Sequence, residues 1–314
     1  MKTKTIQSVN LDANETIFFA RELESIKAKS YDVVYPQLKA RVLIPVSHDA
    51  GPGAMSITYY QYDSVGVAKI ISSYAKDLPR VDVKGESFTS TIKSIGASYG
   101  YNVQEIRAAQ MAGKPLEQRR ANAAHQAVEQ EINRIGFNGD TEHGLQGLIG
   151  HPNITTDTVA ADGAGGGGSQ TEWVNKTADQ IIRDMNDLAN GIVDLTNGVE
   201  IPDTLAMPIA QYSYIASTPR SSTSDTTILD FFLKNNPHIK EVTWCVELKG
   251  AGTSGVDIMI AYKRDPDKLT LEIPQEFEQF PPQESGLEFE VPCHARCGGV
   301  IVYYPLSISV GEGI

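Results

Sequence analysis

Two β-rich stretches stand far apart in the first hundred residues, and their spacing constrains the fold more than any other feature of the chain. Met55–Tyr62 alternates around Ile57, Tyr59, Tyr60 and Tyr62, and Glu86–Tyr99 carries Phe88, Thr89, Thr91, Ile92 and Ile95. Runs of this kind read as strands. About 23 residues separate them, whereas a tight hairpin closes in roughly two to five. The pattern predicts a long two-stranded projection with an elaborate tip that contains Gly66, Lys69, Lys76, Pro79, Arg80 and Lys84. A ribbon that stands away from the body cannot bury its own apolar side chains, so it is expected to pack on another subunit.

The rest of the chain mixes helix and strand. Residues 1–48 read as an extended arm with one short helix at Glu15–Lys29, followed by an extended Tyr31–Pro45 and a turn at His48–Gly53. The strongest helical signal covers 102–136, with Asn102 as N-cap and Glu105 at the third helical position. Gly113-Lys-Pro115 interrupts it, and Pro115 opens a longer helix carrying Ala124, Val128, Ile132 and Ile135, which Gly136 and Gly139 can end. A second amphipathic helix is expected over 171–196, capped by Thr171, with Val174, Ile181, Ile182, Met185, Leu188 and Ile192 as its stripe. A short helix near Thr226–Asn235 precedes strands at Val242–Leu248 and Val256–Tyr262. Extended segments follow at Leu269–Phe280, Leu287–Val291 and Gly299–Leu306. The fold class is α+β, with helices and strands segregated rather than alternating as βαβ units.

Charge is unevenly distributed. The 314 residues carry a net charge of −12, but residues 1–100 sum to +2 and residues 151–314 to −13. The acidic balance argues against broad nucleic-acid binding, which needs clustered Lys and Arg. It fits either solubility or complementarity between one half of the chain and the other half of a neighbouring copy. On this reading Lys69, Lys76, Arg80 and Lys84 are the candidate inter-subunit contacts. Glu272, Glu276, Glu278 and Glu284, from an acid-rich stretch at 265–290, are the candidate acidic surface.

Chemistry leaves little trace. Cys245, Cys293 and Cys297 are too few and too unpaired for a disulfide framework or a zinc site. The run Asp162-Gly-Ala-Gly-Gly-Gly-Gly-Ser169 lacks the Lys-Ser/Thr that would make it a phosphate loop. Glu142, His143 and His151 cluster in a turn-rich segment that collects polar residues without catalysis. No catalytic, cofactor or metal residue is assigned. The N-terminus has no apolar core of a signal peptide and no run reaches about 18 apolar residues, so a soluble protein of a reducing cytoplasm with no membrane partner is expected.

The order of parts, taken with short phrases of sequence, resembles the Hong Kong 97-type major capsid proteins of tailed bacteriophages. The phrases in the first half are Ile57-Thr-Tyr59, Gly66-Val-Ala-Lys-Ile-Ile71, Asp77-Leu-Pro79, Ser98-Tyr-Gly-Tyr101, Gly113-Lys-Pro-Leu116 and Phe137-Asn-Gly-Asp140. In the second half they are Lys263-Arg-Asp-Pro-Asp267, Phe280-Pro-Pro-Gln283, Arg296-Cys-Gly-Gly-Val300 and Tyr304-Pro305. The resemblance implies a Hong Kong 97-like capsid fold. Residues 1–48 would be the N-terminal arm, 49–100 an extended β-hairpin E-loop lying over a neighbour, and 101–150 the P-domain with its spine helix. Residues 151–285 would form the axial A-domain, and 286–314 would be strands returning to the P-domain.

It implies a non-enzymatic partner of itself, in hexamers and pentamers, closing an icosahedral virion head in the host cytoplasm around DNA held without sequence-specific binding. Portal, scaffolding and decoration proteins would be its other partners. A separate scaffolding protein is expected because Met1 begins just before the arm, and no Lys–Asn cross-link is expected from Lys69, Lys76 or Lys84. Two alternatives are an encapsulin nanocompartment shell of the same fold and a soluble α+β enzyme using the loop at 163–168 with His143 and His151.

Overall fold

The computed structural model describes residues 36–65, 82–112, 116–164, 169–221, 223 and 225–314. Met1–Gln37 form one unit and Leu38–Ile314 another; the elements below belong to the second. The expected helix at Glu15–Lys29, Pro115, the glycines at 165–168, and Lys69, Lys76 and Arg80 lie outside the described residues.

The body opens with a helical turn, α1 (Ala40–Leu43), where an extended segment was expected. The side-chain oxygen of Asn133, far along the chain, accepts from the backbone N–H groups of both Lys39 and Ala40, which holds the turn in place. A two-residue strand β1 (Val46–Ser47) follows, then β2 (Ser56–Val65) and β3 (Asp82–Thr91), paired antiparallel over their whole length. The second β-rich run of the sequence is two strands rather than one. At buried Ile92 the chain leaves the ribbon and enters β4 (Lys93–Asn102), which pairs over ten residues with a strand from the far end of the chain.

Helices α2 (Val103–Ala112) and α3 (Leu116–Asn138) come next. Asn102 caps α2 through its Oδ1 to the N–H of Gln104, as the sequence predicts. Gly136 does not end α3. It lies inside the helix and lets Ala40 approach, because a Cβ there would sit 3.0 Å from the Cβ of Ala40. Gly139, at φ +69, takes the left-handed position just past the last turn.

The second half is built on a five-stranded sheet in the order β5-β14-β8-β6-β7. Its members are β5 (Thr155–Thr158), β6 (Thr204–Met207), β7 (Glu241–Trp244), β8 (Ile258–Tyr262) and, last in the chain, β14 (Ile308–Glu312). Helix α4 (Ala178–Leu195) precedes β6. Between the parallel strands β6 and β7 run α5 (Ile209–Ser217) and α6 (Ile228–Asn235), so one crossover unit is present where only segregated elements were expected.

The two faces of this sheet build two cores. Leu205, Met207, Met259 and Ala261 pack on Ile181, Met185 and Leu188 of α4 and on Ile228 and Phe232 of α6. The alternate residues Ala206, Ile260 and Tyr262 join Val128, Ile132 and Phe137 of α3. That alternation is the period-two pattern of a strand buried on both sides.

The remaining strands are β9 (Leu269–Glu272), β10 (Gln275–Gln279), β11 (Gln283–Ser285), β12 (Glu288–Cys297) and β13 (Gly299–Val302). β9 lies between β1 and β13, and β12 lies between β4 on one side and β10 and β11 on the other. Among the described residues, no helix is long and apolar enough to cross a membrane.

Candidate functional site

The ribbon of β2 and β3 is the feature with no internal explanation. Its strands face water on both sides for most of their length, and Tyr60, Tyr62 and Val83 are exposed. Tyr60 and Tyr62 lie stacked on one face, with ring centroids 6.5 Å apart. Lys84 is exposed on β3, directly opposite Asp63.

Among the described residues, the ribbon is anchored at its root. Tyr59 stacks on Phe88 at 5.3 Å and meets Tyr303 edge-on at 4.9 Å. The hydroxyl of Ser90 donates to the carbonyl of Gly298 at 3.2 Å, and buried Arg296 donates to the carbonyl of Pro52. Residues from the far end of the chain thus fix the direction in which the ribbon leaves the body.

A strap formed by residues 39–48 lies beside that root. Lys39 places its Nζ 3.3 Å from the centroid of the Trp244 ring and donates to the Trp244 carbonyl at 2.6 Å. The Tyr262 hydroxyl donates to the Leu43 carbonyl at 2.8 Å. Arg41 binds Glu129 and Glu276 together, with both of its terminal nitrogens 2.8 Å from Glu276. Its guanidinium holds the Glu276 carboxyl below the usual carboxylate range.

The four acidic residues chosen from sequence therefore separate. Glu276 is committed to Arg41, while Glu278 and Glu284 are exposed. Glu272 does not belong to an acidic surface: it is 2% exposed and accepts from the hydroxyls of Thr270 at 2.7 Å and Ser47 at 3.0 Å. Its strand is the central one of three, so both edges of β9 are paired, and all four of its residues are buried. The alternation of Leu269, Leu271 and Ile273 with Thr270 and Glu272 reads as a strand with one polar face, so nothing local marks Glu272 as enclosed.

The glycine-rich segment is closed at its base by paired backbone groups of Gly163 and Gln170 and by Ala164 N–H to Asn175 O at 2.7 Å. Below it sits a buried ion network. Lys176 Nζ lies 2.5 Å from Asp184, with both side chains at most 1% exposed, and Arg183 reaches Asp162 at 2.5 Å and Asp184 at 2.8 Å. Arg183 holds the Asp162 carboxyl below its ordinary range. The cations next to this loop are already spent on carboxylates, which leaves a phosphate no free partner among the described residues.

His143 lies exposed beside Asp140 at 3.1 Å. Burial pushes the His151 imidazole below its ordinary range. Both are placed by turns. The three thiols are buried, and burial raises Cys297 to about 11. Among the described residues no group of three or more His, Cys, Asp or Glu could hold a metal ion.

What remains is a body whose distinctive surface is an exposed, aromatic, two-stranded projection. The family model of the major capsid protein matches residues 66–314. The chain belongs to that family. The capsid of Myoviridae phage XM1 has the same fold, with a TM-score of 0.79 at 19% identity over 94% of this chain and 98% of that one. The capsid of a native GTA particle gives 0.67 at 10% identity, covering 96% and 99%. Mycobacterium phage Bobi gives 0.63 at 11%, covering 97% and 99%. No curated protein matches the chain in sequence. The Hong Kong 97-like fold expected from sequence is the fold of this capsid shell protein.

Proposed function

We propose that this capsid protein assembles as hexamers and pentamers into the icosahedral head of a tailed bacteriophage, formed in the host cytoplasm and enclosing DNA that it does not read. It performs no catalysis in this role. Residues 1–48 act as the arm, 49–100 as the E-loop, 101–150 and 286–314 as the P-domain, and 151–285 as the A-domain. The observation that carries the reading is the ribbon of β2 and β3, whose ten-residue strands expose aromatic side chains in a chain of the capsid family. Such a ribbon gains stability only on a neighbour. Lys69, Lys76, Arg80 and Lys84 supply its positive charge toward an acidic body that includes Glu278 and Glu284.

Interior DNA favours the same chemistry, since an acidic wall does not hold phosphate. Portal, scaffolding and decoration proteins complete the set of partners. Negative-stain microscopy of the purified chain tests the proposal. Uniform polyhedral particles are expected, and a small oligomer under every assembly condition would sink it.

A further inference from the structure

The five-stranded sheet ends in two different edges, β5 on one side and β7 on the other. At the β5 edge a groove runs between that strand and α4, floored by Leu188, Ile192 and Ile308. Leu195 and Leu306 line it too and are 54% and 49% exposed, which continues the apolar floor onto the surface. Asp157 and Asp187 line it as well; the Asp187 side chain is 71% exposed and stands 3.9 Å from Arg183 one turn earlier, a contact loose enough to leave its other oxygen facing the groove's rim.

Gly191 is the informative residue. It lies inside α4 and lines the groove, where glycine weakens a helix relative to alanine. Yet a Cβ built on it meets no atom within 4 Å. The chain's own packing therefore does not require glycine there, and the open space it leaves faces outward. At the end of the strands, where the chain passes from Trp244 of β7 back to β8 and Ile258 N–H donates to Leu248 O, exposed Val246 and exposed Lys249 share one turn, closed by Lys249 N–H to Val246 O at 3.2 Å. The β5 edge thus offers an apolar groove with acidic residues, and the β7–β8 turn an apolar residue beside a cation.

We propose that the Val246–Lys249 turn of a second copy seats in the β5–α4 groove, with Val246 over Gly191 and Lys249 between Asp157 and Asp187. The proposal rests on the shell reading above and names the contact that would close each ring. The groove lies between β5 and α4, whereas the turn lies at the strand ends between β7 and β8, so the contact joins different surfaces of the two copies. It cannot pair back on itself, and it propagates head to tail until a ring closes.

The full-length chain tests this. Asp187→Lys and Lys249→Glu should each lower the yield of rings and particles roughly tenfold, as like charges come to face each other. The double variant should restore it. Gly191→Phe should melt like the parent, because its side chain has room, but fail to assemble. The pair Asp187→Cys and Lys249→Cys in one chain should give an oxidised ladder of oligomers in denaturing gels, against a low background because the three native thiols are buried. Neither single cysteine variant should give one. Normal assembly of Gly191→Phe, absence of a ladder, or dimers from a single cysteine variant would overturn the contact. The ladder is read on soluble capsomers as well as on particles. A parent chain that forms no shell therefore counts against the shell reading, while the ladder still decides this contact.

Discussion

Lys176 and Asp184 meet with almost no solvent, and Arg183 supplies the second cation on Asp184. Removing one member of such a pair leaves a charge stranded in a poorly solvating place. Lys176→Met should therefore cost about 3 kcal/mol, read as a lower melting temperature of unassembled subunits; an unchanged melt would show that the pair holds nothing. Two more exposed carboxylates set an acid limit. Arg183 depresses Asp162 and Arg41 depresses Glu276, so each folded-state value lies below its unfolded one. Their contribution is complete above about pH 5 and is lost as pH falls through the depressed values. Hydrogen-exchange protection factors of the strap at residues 39–48, corrected for the intrinsic pH dependence of exchange, should fall on acidification below that point. Arg41→Met should remove most of that pH dependence, and a variant with the parent's profile would assign it elsewhere.

At the scale of elements, α4 shows what could be read beforehand. Its buried stripe of Ile181, Ile182, Met185, Leu188 and Ile192 was visible as periodicity, but its start was placed six residues early, at Thr171. Residues Trp173–Asn175 form a separate 3-10 turn, and the helix begins after Thr177, whose hydroxyl accepts from Gln180 N–H while the Gln180 side chain returns to Thr177 N–H. The spacing Thr177…Gln180 was the available signal, since Thr171 has Val174 at the corresponding place. Thr177→Ala should cost about 1 kcal/mol, seen as a modest drop in melting temperature; no drop would mean that the cap is replaced. Gly147 marks a harder limit. A Cβ there would lie 2.3 Å from the backbone nitrogen of Gly139 and 2.4 Å from the carbonyl of Phe137. Gly147→Ala should therefore abolish soluble folded protein, and a well-folded variant would show that this turn can move. Strand β14 escaped notice because Ser309 and Gly311 interrupt its apolar positions, although it sits inside the main sheet. Glu272 was misread because charge was counted along the chain while the strand's two neighbours, β1 and β13, are distant in sequence.

For the whole molecule, the projection and the α+β class are legible in the sequence, because both depend on local patterning and on a length that no tight turn spans. Which late segments hold the projection is not legible there, since Arg296, Gly298 and Tyr303 carry no mark of being its partners. The charge split makes its own prediction at this scale. Reversing Lys69, Arg80 and Lys84 together to Glu should impair particle formation far more than the stability of the subunit. Normal particles from that triple variant would reduce the split to a matter of solubility.

The late anchoring of the ribbon also bears on synthesis. β4 waits for β12, and Tyr59 and Ser90 wait for Tyr303 and Gly298. Some two hundred residues lie between these partners, which at a ribosome's pace is roughly 10–40 s of translation. Through that interval a nascent chain has the ribbon but no fixed direction for it. Neighbouring chains on one messenger therefore cannot engage each other in native geometry until each is nearly finished.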